Sequence, residues 1–275
     1  MNGRRAGSAP RAEGAAAVPE VPPACSAPSL VLFTRVPVPG RAKTRLLPVL
    51  SGEQCAALQR AMACDAAAAL GSLGLPVTVR YSDETCGLEG GAALRGAFLG
   101  ALRSAALAAS APSVRCMPQE GAGLGERMEG ALADELAADR GACLLMGSDL
   151  PAVDAAALRA ALSAFGIGGG VDGGNPADVL LGPSDDGGYW LVGLRAAFPE
   201  LFAGKRYGTG SVLDEALAAC QACGRTVVLG PVAGDVDTPD DLERLADLVD
   251  RGDRRVGPRT STWVRAWRAG RGNAV

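Results

Sequence analysis

Short apolar runs alternate with longer segments rich in Ala and Leu from about residue 29 to about residue 250. Short apolar runs bounded by turn residues are typical of buried strands, and the longer segments are typical of helices. The pattern predicts strands near residues 30–34, 76–81, 114–117, 142–146, 177–181, 189–193 and 226–229. It predicts helices near residues 51–70, 91–109, 125–138, 154–165, 211–223 and 239–249.

This alternation predicts an α/β fold with three α/β/α layers, in which helices cover both faces of a mostly parallel sheet. A Gly-rich loop at residues 166–174 interrupts the alternation. The two strands that follow this loop flank the turn Asp185-Asp-Gly-Gly188, so we expect them to pair as a hairpin. The hairpin would place a turn rich in carboxylates beside the sheet.

The two ends of the chain lack this alternation. Residues 1–28 are rich in Ala, Pro, Gly and Arg, which predicts a disordered leader. From Arg251 to the end at residue 275, seven Arg and one Asp accompany Trp263 and Trp267. We expect this basic tail to be disordered or loosely docked, and weak contact with an acidic surface is the alternative. One domain, residues 29–250, remains between the two ends.

Composition excludes several classes of protein. The 275 residues include 27 Lys or Arg, 30 Asp or Glu and no His, which excludes Ser-His-Asp triads and HExxH zinc sites. The formal net charge of −3 provides no broad positive field, so we do not expect nucleic-acid binding. No apolar run reaches the roughly 20 residues that span a bilayer, and no signal-peptide core is present. We therefore expect a cytoplasmic protein without stable membrane association.

The loop after the first predicted strand is strongly basic. Its four basic residues are Arg35, Arg41, Lys43 and Arg45. Such a loop favours a polyphosphate, although a solvated basic loop is the alternative. It is not a P-loop, because Gly40 stands three residues before Lys43 instead of next to it. Lys43 and Lys205 are the chain's two lysines, so a Lys in this Arg-rich loop suggests that a compact ammonium is required there.

Two further loops supply carboxylates. Asp149 follows the apolar strand near residues 142–146, where it would either hold a divalent cation or cap the next turn. Asp237 lies just before Thr238, the expected N-cap of the last helix. It is therefore free to be the second carboxylate beside Asp149. Asp235 is the competing candidate.

The predicted hairpin turn carries a fourth group of polar residues. Asp186 would hold or deprotonate an acceptor hydroxyl, since a chain without His most naturally uses a carboxylate as its base. Gly187 and Gly188 would let the substrate approach the backbone beside Tyr189. A hairpin turn alone would also explain the Asp-Gly-Gly sequence.

Six strings occur in order over about residues 29–250: FTRVPVPGRAKTRL, LGERM, GSDLP, GPSDDGGYWLVGL, YGTGSVL and DVDTPDDL. Together they resemble a bacterial family of GT-A-fold transferases known as arsenosugar-biosynthesis-associated glycosyltransferases, most of which have no assigned substrate. The chain is more distantly similar to 2-phospholactate guanylyltransferase and molybdenum cofactor guanylyltransferase. The resemblance implies the nucleotide-diphospho-sugar transferase (GT-A, Rossmann-like) fold.

The resemblance also implies roles for individual residues. The nucleotide diphosphate would be held by the loop residues Arg35, Gly40, Lys43 and Arg45. Asp149 and Asp237 would bind Mg²⁺ or Mn²⁺. Asp186 matches the Asp of the family's D-G-G-Y motif, and its assignment to the acceptor or to proton transfer is our inference. Tyr207 stands where many relatives carry Trp, a change that could alter the choice of acceptor.

The expected function is that of a metal-dependent glycosyltransferase, which transfers a sugar from a nucleotide-sugar donor to a small-molecule acceptor. One alternative is a nucleotidyltransferase that joins a nucleoside triphosphate to a phosphorylated acceptor and releases pyrophosphate. Another is a nucleotide-binding protein without catalytic activity. The residues quoted above separate these three functions poorly.

Overall fold

A computed structural model of the chain describes residues 27–138, 140–167 and 176–272, and seven strands in it form one sheet. The strands are β1 (Ser29–Arg35), β2 (Val77–Ser82), β3 (Val114–Pro118), β4 (Cys143–Gly147), β5 (Val179–Pro183), β6 (Tyr189–Leu194) and β7 (Val227–Leu229). They lie in the order β3-β2-β1-β4-β6-β5-β7. Strand β6 pairs antiparallel with β4 and β5, and the other pairs are parallel. The predicted mostly parallel sheet is therefore confirmed, and so is the hairpin.

Seven α-helices accompany this sheet in the described part of the chain. They are α1 (Gly52–Gly71), α2 (Gly91–Ala108), α3 (Leu124–Ala137), α4 (Ala155–Ala164), α5 (Val212–Ala222), α6 (Pro239–Asp250) and α7 (Pro258–Gly272). The sequence-predicted helices correspond to α1–α6. Capping residues determine where several helices begin: Ser51 and Gln54 form a capping box at the start of α1, and Asp154 caps α4.

The core has two layers, one on each face of the sheet. Leu30 and Leu32 of β1 face the cluster that α1, α2 and α4 cover, and the intervening Val31 faces the cluster that α3 and α5 cover. This alternation is the period of two expected of a strand buried on both faces. The three α/β/α layers are thus confirmed.

A third apolar cluster joins α1, α6 and α7. It includes Leu58 of α1, Leu245 of α6 and Val264 of α7, and it also buries Val236, which lies before α6. The expectation of a disordered or loosely docked tail is therefore wrong for residues 258–272. Most of the leader, residues 1–26, and residues 168–174 of the Gly-rich loop lie outside the described part of the chain. Within that part, none of the helices combines the length and apolar character needed to cross a bilayer.

A buried carboxylate anchors the start of α7. Asp65 of α1 accepts hydrogen bonds of 2.8 Å from the backbone nitrogen and the hydroxyl of Thr260, and it pairs with Arg259. Asp65 therefore acts as an N-cap supplied by another helix, since it satisfies backbone N–H groups in the first turn of α7. This tertiary contact explains how a helix rich in Arg becomes part of the core.

We expect Asp65→Ala to lower the free energy of unfolding by about 2–4 kcal/mol, because it leaves buried donors of α7 unpaired. Glu89→Ala, which removes an exposed carboxylate, is the control and should change stability by less than about 0.5 kcal/mol. Urea unfolding of the three proteins measures the difference. Equal stabilities for Asp65→Ala and Glu89→Ala would contradict the anchoring role.

Candidate active site

The sheet brings Lys43, Asp149 and Asp237 to one edge. Lys43 lies on the loop after β1, and Asp149 lies two residues beyond the end of β4. Because β1 and β4 are parallel neighbours, their carboxyl ends meet at the same edge, where open α/β sheets bind ligands. Asp237 reaches this edge from the segment that leads into α6. The structure thus assembles three of the predicted residues from three distant parts of the chain.

The Lys43 ammonium bridges the two carboxylates. Its Nζ atom donates to Oδ2 of Asp149 and to Oδ1 of Asp237, each at 2.8 Å. The Lys43 side chain is 2% exposed, whereas those of Asp149 and Asp237 are 38% and 39% exposed. Burial opposes the charge on Lys43, but the two carboxylates outweigh burial and raise its pKa. The buried lysine is therefore a fixed positive charge behind two partly exposed carboxylates.

Asp149 is also held from a second side. Its Oδ1 atom accepts hydrogen bonds from Nε2 of Gln59 at 2.5 Å and from Oγ of Ser148 at 3.1 Å. Thr34 of β1 in turn donates to Ser148 at 2.8 Å. Burial favours the protonated form of Asp149, but Lys43 and these donors lower its pKa. Asp149 is thus an ionised carboxylate in a fixed orientation.

The helix cap of α6 orients Asp237. Its backbone nitrogen donates to Oδ2 of Asp241 at 3.0 Å, and Asp241 also forms a capping box with Thr238. Of the two candidates, Asp237 and not Asp235 accepts the hydrogen bond from Lys43. Burial, followed by the nearby charge of Asp237, raises the pKa of Asp235 to about 6.

These residues open onto a cavity of about 680 Å³. The basic loop lines this cavity with Arg35, Arg41 and Arg45. Nη1 of Arg45 lies 3.9 Å from Oδ2 of Asp237. Gly40 is not among the lining residues. It has φ +75° and packs on Gly52, where a Cβ atom would lie 2.7 Å from the Gly40 nitrogen. Gly40 therefore shapes the loop and does not itself face the cavity.

The hairpin turn reaches the far side of the same cavity. Asp186, Gly188 and Tyr189 line it, whereas Gly187 does not. Gly187 has φ +83°, and a Cβ atom there would lie 2.2 Å from the Gly210 carbonyl oxygen, so the position is limited to glycine. Asp186 accepts a 3.0 Å hydrogen bond from the Gly188 nitrogen. The residues therefore form a hairpin turn and also line the cavity.

An aromatic pair closes this side. The hydroxyls of Tyr189 and Tyr207 lie 3.2 Å apart, and the rings meet edge to face. Burial raises the pKa of both phenols, so both hydroxyls stay protonated at neutral pH, and one donates to the other. The Tyr207 ring lies 3.0 Å from where a Cβ atom on Gly125 would stand, so a larger residue there would require α3 or the ring to shift by a few tenths of an ångström.

The carboxylate oxygens here are hard ligands of the kind that Mg²⁺ and Mn²⁺ prefer. Across the described residues, no group of three or more Asp, Glu or Cys side chains is arranged to hold a metal ion. Asp149 and Asp237 therefore fit a cation that takes its other ligands from substrate phosphates and water, as Mg²⁺ commonly does.

Sequence reasoning missed Gln59, Gln119 and Arg127, which all line the cavity. Gln119 donates to the carbonyl oxygens of Thr34 and Arg80. One signal could have identified Gln59: it stands in the apolar stripe of α1 among Cys55, Leu58 and Met62. A polar residue on a buried helix face requires a partner, which here is Asp149.

Comparison with known proteins agrees with this fold. Residues 84–209 match a family described as an uncharacterized protein conserved in bacteria (DUF2064). No curated protein matches the chain. Among solved structures, the chain is similar to a Desulfovibrio desulfuricans G20 protein that is provisionally described as a nucleotide-diphospho-sugar transferase. The two superpose with a TM-score of 0.70 and 26% sequence identity, over 88% of this chain and 98% of that one. The inositol-1-phosphate CTP transferase of T. maritima superposes with a TM-score of 0.45 and 12% sequence identity. This match covers 90% of this chain and 98% of that one.

The Desulfovibrio structure shows that the chain has the nucleotide-diphospho-sugar transferase fold. These comparisons do not test the resemblance to arsenosugar-associated glycosyltransferases or to the two guanylyltransferases, which stays a prediction. The residues that match the DUF2064 family include Asp149 and Asp186 but neither Lys43 nor Asp237.

Proposed function

We propose that the protein is a glycosyltransferase that uses a nucleotide-sugar donor, a small-molecule acceptor and Mg²⁺ or Mn²⁺. The observation that carries this proposal is the buried Lys43 ammonium, which bridges Asp149 and Asp237 below the basic loop. A nucleotide diphosphate needs positive charge, and a cation bound to it needs carboxylates. The site offers both at the carboxyl edge of the sheet.

Each residue has a part in holding the donor. Lys43 and Arg45 attract the diphosphate, and Arg35 and Arg41 extend the positive wall of the cavity. Asp149 and Asp237 would hold the divalent cation, which would supply positive charge at the leaving nucleoside diphosphate. The hydrogen bonds from Gln59 and Ser148 fix the orientation of Asp149, so this charged site is organised before the donor arrives.

Transfer breaks the bond between the anomeric carbon and the diphosphate oxygen, and the electron pair leaves with the nucleoside diphosphate. The acceptor hydroxyl forms the new bond to the anomeric carbon. Its proton passes to the carboxylate of Asp186, which lines the same cavity as Lys43. Tyr189 and Tyr207 bound the side of the cavity that receives the sugar of the donor.

The Desulfovibrio protein, with 26% identity over 88% of this chain, supports a nucleotide sugar as the donor because that protein is described as a nucleotide-diphospho-sugar transferase. The proposal is tested by thermal unfolding with a panel of nucleotide sugars and nucleoside triphosphates, each with and without Mg²⁺ or Mn²⁺. A ligand at 100 times its dissociation constant adds about 2.7 kcal/mol of stability. We expect metal-dependent stabilisation by at least one nucleotide sugar.

Other results of that panel point elsewhere. Stabilisation by a nucleoside triphosphate but by no nucleotide sugar would indicate a nucleotidyltransferase. Stabilisation by a nucleotide, together with no turnover of it in a separate activity assay, would indicate a nucleotide-binding protein. The absence of stabilisation by every ligand would contradict the nucleotide site itself.

Gln59 is expected to act as a positioning residue. Gln59→Leu keeps the volume of the side chain but removes the 2.5 Å hydrogen bond to Asp149, so we expect a loss of about 10- to 100-fold in activity or metal affinity. Gln59→Glu would place a second carboxylate against Asp149 and should be at least as damaging. The metal affinity of each variant, measured by titration of Mn²⁺, is the readout. A Leu variant with unchanged affinity and activity would contradict this role.

A further inference from the structure

A second cavity, of about 710 Å³, adjoins the first. The residues that line both cavities are Arg45, Asp186, Asp235 and Asp237. The two spaces therefore meet at the carboxylates where the proposed transfer takes place. If the donor occupies the cavity with the basic loop, the second cavity reaches the same reacting atoms from another direction.

The second cavity runs along one face of α6. Its lining includes Asp241, Leu245, Leu248 and Arg251, which follow the three- and four-residue spacing of a helix face. A helix rises about 1.5 Å per residue, so Asp241 and Arg251 lie about 15 Å apart along the axis. The cavity thus extends from the proposed catalytic carboxylates to the carboxyl end of α6.

Arg251 differs from its basic neighbours in this cavity. Arg244 pairs with Asp241, and Arg255 pairs with Asp253 at 2.6 Å. The Arg251 side chain is exposed, and no carboxylate of the described residues lies within ion-pair distance of it. A location near the end of α6 favours a cation through the helix dipole, but it supplies no partner for the guanidinium. Arg251 therefore leaves a free cation at the end of the cavity farthest along α6.

The wall between the two ends is partly apolar. Val232 is 63% exposed and lines the cavity together with Leu245 and Leu248. The cavity therefore presents carboxylates at one end and apolar side chains along its length. At the other end it presents the unpaired Arg251 beside Asp247, whose carboxylate pairs with Arg268. A ligand that complements this arrangement carries an uncharged nucleophile near the carboxylates and an anionic group near Arg251.

We infer that the second cavity binds the acceptor, and that the acceptor carries a phosphate or carboxylate group that pairs with Arg251. Its hydroxyl then lies at Asp186, on the boundary between the two cavities. This inference rests on the proposed function and adds the chemical class of the acceptor. A guanidinium binds phosphates and carboxylates with the same two-pronged hydrogen bonds, so the two kinds of anion share this site.

The test uses paired probes on the full-length protein. A nucleoside diphosphate and Mg²⁺ first fill the donor site, and calorimetry then measures the affinity for glucose, glucose 6-phosphate, trehalose and trehalose 6-phosphate. Glucuronate serves as the carboxylate counterpart of glucose. Arg251→Ala is compared with the wild type and with Arg254→Ala. Arg254 is a matched control because it is an exposed arginine three residues away that does not line the cavity.

We expect at least one anionic probe to bind about tenfold more tightly than its neutral pair, as one charge-assisted interaction allows. Arg251→Ala should remove this preference, and Arg254→Ala should keep it. Equal binding of each pair to the wild type, no binding of any probe, or equal effects of the two substitutions would overturn the inference. If the nucleoside diphosphate binds in these experiments, such a result leaves the proposed function intact; if it does not bind, the proposed function fails first.

Discussion

Replacement of Lys43 by Met is expected to reduce glycosyl transfer by about 10²- to 10³-fold, the size of effect seen when one preorganised charge-stabilising group is removed. The ammonium lies 2.8 Å from both Asp149 and Asp237, so its loss leaves two neighbouring carboxylates without their shared counter-charge. Their repulsion would disturb the proposed diphosphate-binding site. A rate assay with a saturating nucleotide sugar measures the effect.

The same substitution should also reduce stability. Removal of one partner from a buried ion pair costs several kcal/mol, but Asp149 and Asp237 are more than a third exposed, so we expect about 1–3 kcal/mol. Lys43→Arg keeps the charge but replaces a compact ammonium with a planar guanidinium, and it should not restore full activity. Lys205→Met, at the chain's other lysine, is the control. Full activity of Lys43→Met would contradict the role of the bridge.

Asp149→Asn is expected to abolish metal-dependent stabilisation by the donor and to lower transfer by about 10²-fold or more. The amide has nearly the same shape as the carboxylate, and its oxygen can still accept from Gln59. Its NH2 group then faces the Lys43 ammonium, so the substitution removes both the negative charge and the hydrogen bond from Lys43. The readout is the shift in unfolding temperature that a nucleotide sugar produces with and without Mn²⁺.

Asp240→Asn is the matched control for this experiment. Asp240 is an exposed carboxylate in the first turn of α6, close to Asp237 in sequence, but it lines neither cavity. It should retain the metal-dependent shift. If Asp149→Asn retained the shift as well, Asp149 could not be the carboxylate that holds the cation.

Local signals in the sequence were enough to predict most of the fold. Ser51 and Thr238 mark the starts of α1 and α6 through capping boxes that involve residues three positions later. The buried strands β1 and β4 are continuous apolar runs, as expected of strands covered on both faces. Since each of these signals depends on neighbours in the chain, it can be recognised without the tertiary structure.

Helix α7 could not be predicted in the same way. Its capping carboxylate, Asp65, is 195 positions away from Thr260 in the chain, and Trp267 becomes buried only against α1 and α6. A segment with seven Arg and one Asp has the composition of a solvated tail, and tertiary contacts overrule that composition. The half-buried Arg268 shows how the positive charges of α7 are accommodated, since it lies near Asp247 and Asp250 of α6.

The candidate site, like the fold, could be predicted from the sequence only in part. Asp149 and Lys43 follow strands that the pattern predicts, and parallel strands bring their ends together. The sequence could not decide between Asp235 and Asp237, because the choice depends on the capping box that turns Asp237 toward Lys43. Likewise, the hydrogen bond from Gln59 joins residues 90 positions apart, and no local pattern encodes such a contact.

We propose above that the bridged carboxylate site transfers a sugar from a nucleotide-sugar donor. Phosphorus NMR tests it most directly, with the protein, Mg²⁺, a panel of nucleotide sugars and nucleoside triphosphates, and a mixture of sugars and sugar phosphates as acceptors. We predict that a nucleotide sugar is consumed and a nucleoside diphosphate appears, and that neither change occurs with Asp149→Asn. Release of pyrophosphate from a nucleoside triphosphate, or no consumption of any nucleotide sugar, would contradict it.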